Sequence, residues 1–480
     1  MSEEPRPLTV GVFPASAHAA APRLLAALEE AYPVRFEARG EGELSDLDAV
    51  LELGCSAGAA EGAARAGRPA LRMLVAEAPE RGEPAVQTLG TGDLLDRPLR
   101  GVELPDARLA PALGAAEPAA EGAAVLASYG GIPTWTRRGK HEEALLFPAE
   151  LGPKEALRER LCEHRSAALL PLVHFLRRLT TGGTRQPAEP LASLVFDDPN
   201  LHWPTYGFVD LAALAAHARA HGYHAGLAMV PLDAWYAHPR ALRALRESDG
   251  ALSLLVHGND HYGGELGRLH DGAEALAQAA QALRRVRAFE RRTGLRVERV
   301  MVPPHEQCSQ AAATALRRCG FEALTVTQPF PWLGDGGRSW LAHPPEAGPL
   351  VGWHPVDYAE GLPVLLRHPI VGRSLPEMSL RAFLGQPLIL YGHQSDLDEG
   401  GLDVLIAAAA DVERLGPARW SSLGEIAAAA RAATPVAGAP AADAVDPELV
   451  PPPRRRPLAV PRRILSEGRD RLSPLLSRAS

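Results

Sequence analysis

Leu254-Leu255-Val256-His257-Gly258-Asn259-Asp260-His261 is a short apolar run that breaks abruptly into polar chemistry. Three further segments share that form: Leu194-Val195-Phe196-Asp197-Asp198, Val300-Met301-Val302-Pro303-Pro304-His305 and Leu388-Ile389-Leu390-Tyr391-Gly392-His393. Apolar runs this short, bounded by turn residues, read as strands buried on both faces. Parallel strands closed into a barrel carry their C-terminal ends to one rim, where side chains far apart in the chain can meet. The four segments together predict one barrel and one site.

Around them, strand patterns at Ala192–Phe196, His224–Val230, Ser253–Val256, Glu298–Val302, Ala323–Thr327, Val364–Arg367 and Pro387–Tyr391 alternate with helical ones. The helices are predicted over Val209–His221, Ala273–Arg292, Ala311–Arg318, Leu402–Leu415 and Glu425–Ala432. The fold class expected is α/β, a (β/α)7-type distorted barrel over 188–433 preceded by a smaller parallel-sheet α/β domain. That first domain, 1–150, is read as Rossmann-like or flavodoxin-like, from strands at Leu8–Phe13, Val34–Phe36, Ala49–Leu53 and Ala70–Val75 and helices at Ala21–Tyr32 and Ala57–Ala66. A helical connector and linker, 151–187, separates the two. It holds a leucine-rich helix that Pro171 should kink or restart, and then Thr180-Thr181-Gly182-Gly183-Thr184-Arg185-Gln186-Pro187. Residues 434–480, with Pro451-Pro452-Pro453-Arg454-Arg455-Arg456, are too poor in aromatics to offset their ordering entropy and are expected to be a disordered tail.

A chain of 480 residues outgrows a single hydrophobic core. With 46% hydrophobic and 22% charged residues it has an ordinary globular composition. Its net charge of -8 argues against a general nucleic-acid partner. Only Lys140 and Lys154 are lysine, an arginine excess that reads as base-composition bias. The basic tail, with a weakly amphipathic Ile464–Leu476, is the one stretch suited to a peripheral membrane or envelope-assembly partner. The opening residues carry neither a basic leader nor an apolar core, and no apolar run reaches a bilayer span, so a cytoplasmic location is expected. Cys55, Cys162, Cys308 and Cys319 lack metal-finger spacing and read as buried free thiols.

His257 and His261 stand four residues apart, a spacing that puts both rings on one face in a helix or tight turn. Joined to the carboxylate of Asp198, they make a three-ligand set with an open position, the arrangement with which catalytic zinc binds water and polarises a carbonyl. Asp198, His257 and His261 are therefore the expected ligands of a divalent metal ion. Zinc is the first expectation, and cobalt, nickel, manganese and iron suit the same donors.

These motifs resemble those of the NodB-homology polysaccharide deacetylases, here as a divergent member, over roughly 192–432. Val195-Phe196-Asp197-Asp198-Pro199 resembles the family's Thr-Phe-Asp-Asp-Gly segment, His257 to His261 its His-Ser/Thr-x-x-His, Val302-Pro303-Pro304-His305 its Arg-Pro-Pro-aromatic, and Leu388 to His393 its terminal histidine motif. The resemblance implies a metal-dependent hydrolase that removes an N-acyl group, with Asp197 as general base and His393 as general acid. It implies an N-acylated sugar or glycoconjugate as substrate, with His305, Glu306, Trp203 and Tyr206 touching it. The same chemistry on a non-sugar amide, as in an amidase or deformylase, and a catalytically silent glycan-binding module are the other readings. The chain departs from the pattern at four places. Val302 stands where the family has the arginine that holds the base, His305 replaces the aromatic, Gly258 replaces Ser/Thr, and the motif that positions the acid histidine has no clear match, with Asp357 or Arg367 as stand-ins.

Trp235 and Trp332 could join Trp203 and Tyr206 in a sugar-stacking wall, although aromatics at a barrel rim more often pack. Gly54-Cys55-Ser56-Ala57-Gly58 matches a nucleophile elbow between strand and helix, but a Ser there is equally a helix cap.

Overall fold

The computed structural model describes residues 6–40, 44–54, 58–76, 84–152, 155–162, 165–181, 189–327, 333–334, 338–339, 356–433 and 443–454, with short stretches at 460–461, 464–465 and 468. The linker beyond Thr181, Cys55 to Ala57 of the elbow-like stretch, Trp332 and most of the basic tail lie outside the described residues. The described chain forms two compact units. One holds the residues up to Thr181 together with Leu375–Leu384, and the other holds the rest.

In the first unit β1 (Leu8–Phe13), β2 (Val34–Ala38), β3 (Ala49–Leu53), β4 (Ala70–Ala76), β5 (Ala85–Leu89), β6 (Glu103–Asp106), β7 (Ala124–Tyr129), β8 (Ile132–Arg138) and β9 (His141–Phe147) make one sheet. Its order is β2-β1-β3-β4-β9-β8-β7-β5-β6. The sheet is parallel from β2 to β9, as expected. From β9 to β6 it is antiparallel, which corrects the expectation of a purely parallel sheet. Gly130 and Gly131, both at positive φ (53° and 85°), close the β7–β8 hairpin, because a tight turn matched to strand twist needs that backbone region.

The helices α1 (Pro22–Ala31), α2 (Gly58–Arg65) and α3 (Ser166–Thr180) are among those of this unit. Although the sequence reads α3 as a connector, its Leu169, Leu170, Leu172, Val173, Phe175 and Leu176 share one core with Val10, Leu71 and Trp135. Nor does Pro171 break it: the helix runs on through the proline with that residue buried. Pro171 lies near the start of the helix, and packing on both sides compensates for the single backbone bond it removes.

His174 packs edge-on to Trp135 at 5.0 Å. Burial, aided by Arg137 and Arg177, pushes its pKa down to about 3. In the other unit, burial pushes His224 down to about 4. Both are neutral in the fold but take up a proton in the unfolded chain below about 6.5. Their folded pKa values are depressed, so the unfolded state binds more protons in the window from about 6.5 down to those values. Stability should therefore fall as pH drops through that window, by about 1.4 kcal/mol per pH unit for each histidine. Thermal melts should shift downward steadily from pH 7 to pH 4.5, and flat melts over that range would refute this.

The second unit closes into a barrel. Its strands are β10 (Leu191–Asp197), β11 (Ala225–Met229), β12 (Leu252–His257), β13 (Val300–Val302), β14 (Ala323–Val326), β15 (Leu362–Pro369) and β16 (Leu388–Gly392). Each pairs in parallel with the next, and β16 returns to β10. The helices α4 (Leu211–His221), α5 (Gly272–Thr293) and α6 (Gln310–Arg318) start where Asp210, Asp271 and Ser309 accept backbone N–H groups of the first turn. The helices α7 (Asp403–Leu415) and α8 (Leu423–Ala433) follow the last strand.

Alternation along the strands sets the interior. Val195, Leu255, Val300, Val302, Leu365 and Ile389 form an apolar cluster with Leu423, Ile426, Ala427 and Ala430 of α8. Two residues further along β10, β12 and β15, on the same face, come Asp197, His257 and Arg367. An apolar floor thus supports a polar layer at the C-terminal rim.

Residues 443–453 depart from the expected disordered tail. Arg317 grips Asp443 at 2.8 and 2.7 Å, and Arg284 donates to the carbonyls of Pro447 and Val450. Arginines on α5 and α6 supply the fixing contacts that composition could not foresee. Among the described residues no helix is long and apolar enough to cross a membrane.

Candidate metal centre

Asp198 follows the last residue of β10 and sits at φ 64°. That left-handed turn aims its carboxylate away from the direction taken by Asp197, resolving how neighbouring acids can serve one site. The Asp198 Oδ2 lies 3.4 Å from His261 Nε2 and 3.8 Å from His257 Nε2. One ligand atom from each of the three falls within 4.8 Å of the others, and they are the one such group among the described residues.

His257 ends β12, and its Nδ1 lies 2.9 Å from the Val302 carbonyl oxygen. A carbonyl only accepts, so Nδ1 carries the proton and Nε2 keeps its lone pair. Burial pushes the His257 pKa down to about 4, against the pull of Asp198 and Asp197, so the ring is neutral at pH 7. Two imidazoles and one carboxylate oxygen, one imidazole with its lone pair fixed toward the carboxylate, are a donor set that fits a divalent cation.

Asp197, buried, is held by a guanidinium. Arg367 Nη1 and Nη2 donate to Asp197 Oδ1 and Oδ2 at 2.8 and 2.7 Å. Burial alone would raise the Asp197 pKa, but Arg367, with His257 and His393, outweighs it and holds the carboxyl below its ordinary value. Arg367 also lies 4.2 Å over the Tyr391 ring and donates to Glu306. An arginine that the motif pattern would seat at Val302 thus comes from β15 instead. The sequence offered its signal, a lone charge ending an apolar strand at Leu365-Leu366-Arg367, without saying which strand it faces across the barrel.

Two residues expected to touch substrate also have structural partners. Glu306, at φ 61°, spends one oxygen on Arg367 and the other on the Thr327 N–H at 2.7 Å, and so buttresses Arg367. Tyr206 is buried, its hydroxyl donating to the Asp197 carbonyl and its ring edge-on to Phe196 at 5.9 Å. It holds the end of β10. Trp203 and Trp235, by contrast, are 46% and 70% exposed. His305 is exposed, with its ring 5.6 Å from that of His261.

His393 follows β16, whose Gly392 pairs with Phe196, so it stands beside Asp197 at the strand ends. The Asp396 backbone N–H donates to the His393 carbonyl at 3.1 Å, and Asp396 Oδ2 accepts the His393 backbone N–H at 2.7 Å, which fixes the chain at this position.

The loop from His257 to His261 depends on residues with no recognisable motif. Glu265 accepts backbone N–H groups from it, and Asn259 bonds to Gln278 and Gln281 of α5 at 2.6 and 2.9 Å.

No protein-family model and no curated protein matches the sequence. Among solved structures, the chain is similar to a Mycobacterium smegmatis protein assigned as a polysaccharide deacetylase, at 16% identity and TM-score 0.34 over 56% of this chain and 98% of that one. A family 4 acetyl xylan esterase from Clostridium thermocellum, in complex with a cobalt ion, matches at 12% identity and TM-score 0.28 over 56% and 100%. A family 4 carbohydrate esterase from Streptomyces lividans, in complex with acetate, matches at 12% identity and TM-score 0.28 over 49% and 100%. Likenesses this distant add nothing to the chemistry, which stands on the side chains above. The solved structures that this chain resembles thus include one described as a polysaccharide deacetylase and two described as family 4 esterases, at low identity and over part of its length.

Proposed function

We propose that this protein is a metal-dependent hydrolase that removes an N-acyl group, N-acetyl first, from a sugar or glycoconjugate precursor. The observation that carries this reading is the convergence of Asp198, His257 and His261 beside a carboxylate clamped by Arg367. A divalent ion held by those three residues would supply an acidified water and polarise the amide carbonyl.

The remaining work falls to the chain itself. Asp197, ionised and fixed by the guanidinium fork, accepts the proton of the attacking water. His393 gives its N–H proton to the amine as the C–N bond breaks, because an unprotonated amine leaves poorly. Tyr206 keeps the end of β10 in place.

Val302 and the unmatched motif for positioning the acid histidine are the features that favour a silent binding module. Arg367 in the fork position supports catalysis over that reading. A panel of N-acetylated sugars and small acyl or formyl amides, each assayed for acid release, tests the proposal. Release of acetate from the sugars, lost on chelation and restored by zinc, is expected. Turnover of non-sugar amides alone would transfer the assignment to an amidase, and silence on the whole panel would overturn it.

A further inference from the structure

His257 and His261 lie on one face without a helix between them: β12 ends at His257 and α5 begins at Gly272. Gly258 and His261 sit at φ 61° and 52°, in left-handed backbone. Between them the N–H groups of three consecutive residues, Asn259, Asp260 and His261, point at one side chain. They meet the Glu265 carboxylate at 2.5, 3.1 and 3.3 Å on Oε1, with a further contact from Asp260 to Oε2 at 3.2 Å. Successive amides that converge on one point form an anion-binding concavity. Here the chain fills that concavity with its own carboxylate, and Glu265 is 3% exposed.

We infer that Glu265 is the positioning residue of the metal centre, curling the backbone so that the two imidazoles reach one ion. The inference rests on the proposed metal-dependent reading. It also explains why Gly258 stands where the resembling motif has Ser or Thr: a Cβ there would lie 2.3 Å from Glu265 Oε1 and 2.6 Å from Pro304 Cγ. The bonds from Asn259 to Gln278 and Gln281, and from Arg285 to Asn259 Oδ1 at 2.6 Å, fasten the loop to α5 on its other side. None of them acts on His261. Among the described residues the Glu265 carboxylate is the side chain seen to hold the His261 backbone N–H. Removing its charge while keeping its size should let His261 drift without touching any ligand.

The test is a zinc titration of the metal-free full chain by calorimetry, wild type against Glu265→Gln, with cobalt absorption spectra of both. Expected are an affinity about 10- to 100-fold weaker, the usual cost of losing an outer partner of a metal ligand, and an altered cobalt spectrum. A variant that still melts cooperatively is folded, so a changed spectrum in it does not come from global unfolding. If Glu265→Gln does not fold, Gly258→Ala carries the test, since its Cβ displaces the carboxylate and should weaken zinc likewise. A folded variant of either kind that binds zinc as wild type does, with an unchanged spectrum, overturns the inference. A wild type that binds no zinc sinks the hydrolase reading instead.

Discussion

Replacing Arg367 by alanine should lower the deacylation rate by about 10² to 10⁴ and destabilise the barrel by about 3–5 kcal/mol. Both effects have one origin. Arg367 is buried and gives two parallel hydrogen bonds to the buried Asp197. Without the guanidinium, Asp197 is left as an uncompensated charge in a low-dielectric interior, the costly way to break such a pair. The same burial then raises its pKa, so a smaller fraction of the carboxyl is ionised and free to take a proton from water. The acid limb of the rate profile should move to higher pH. Arg367→Lys should recover part of the stability and little of the rate, because an ammonium cannot form the planar fork. Alanine and lysine variants with wild-type kcat would remove Arg367 from the mechanism.

A His257→Ala, His261→Ala protein should lose deacylase activity to background while its barrel still folds. The two imidazoles supply two of the three converging ligand atoms, and a lone Asp198 carboxylate, 22% exposed, cannot hold a first-row ion tightly. Wild type should gain melting temperature when zinc is added, since a ligand that binds only the native state stabilises it by mass action. The double variant should not. A double variant that keeps its turnover would place catalysis elsewhere in the chain.

Much of this was legible because barrel strands announce themselves locally. Asp197 and His257 follow apolar runs directly, Asp198, His261 and His393 come shortly after such runs, and the pattern gives both the strand and its rim. Arg367 was legible as a residue but not in its role, since sequence spacing carries no information about which strand tips face each other across a closed barrel. Glu265 left no signal at all. Its partners are backbone amides, which every residue has, and only the curled path of 258–261 makes them converge.

In the first unit, Gly130-Gly131 and Gly139-Lys140 between alternating runs were available as hairpin signals. They were outweighed by the helix-and-strand alternation upstream. The order of 443–453 depends on arginines from two distant helices, a tertiary effect that tail composition does not contain.

The most direct measurement is the metal content of the purified, dialysed protein by elemental analysis, wild type beside His257→Ala, His261→Ala. One divalent ion per wild-type chain and none in the variant is the predicted result. A wild type that holds no ion even after incubation with zinc, cobalt, nickel, manganese or iron, or a variant that holds as much as the wild type, would contradict the metal centre and the hydrolase built on it.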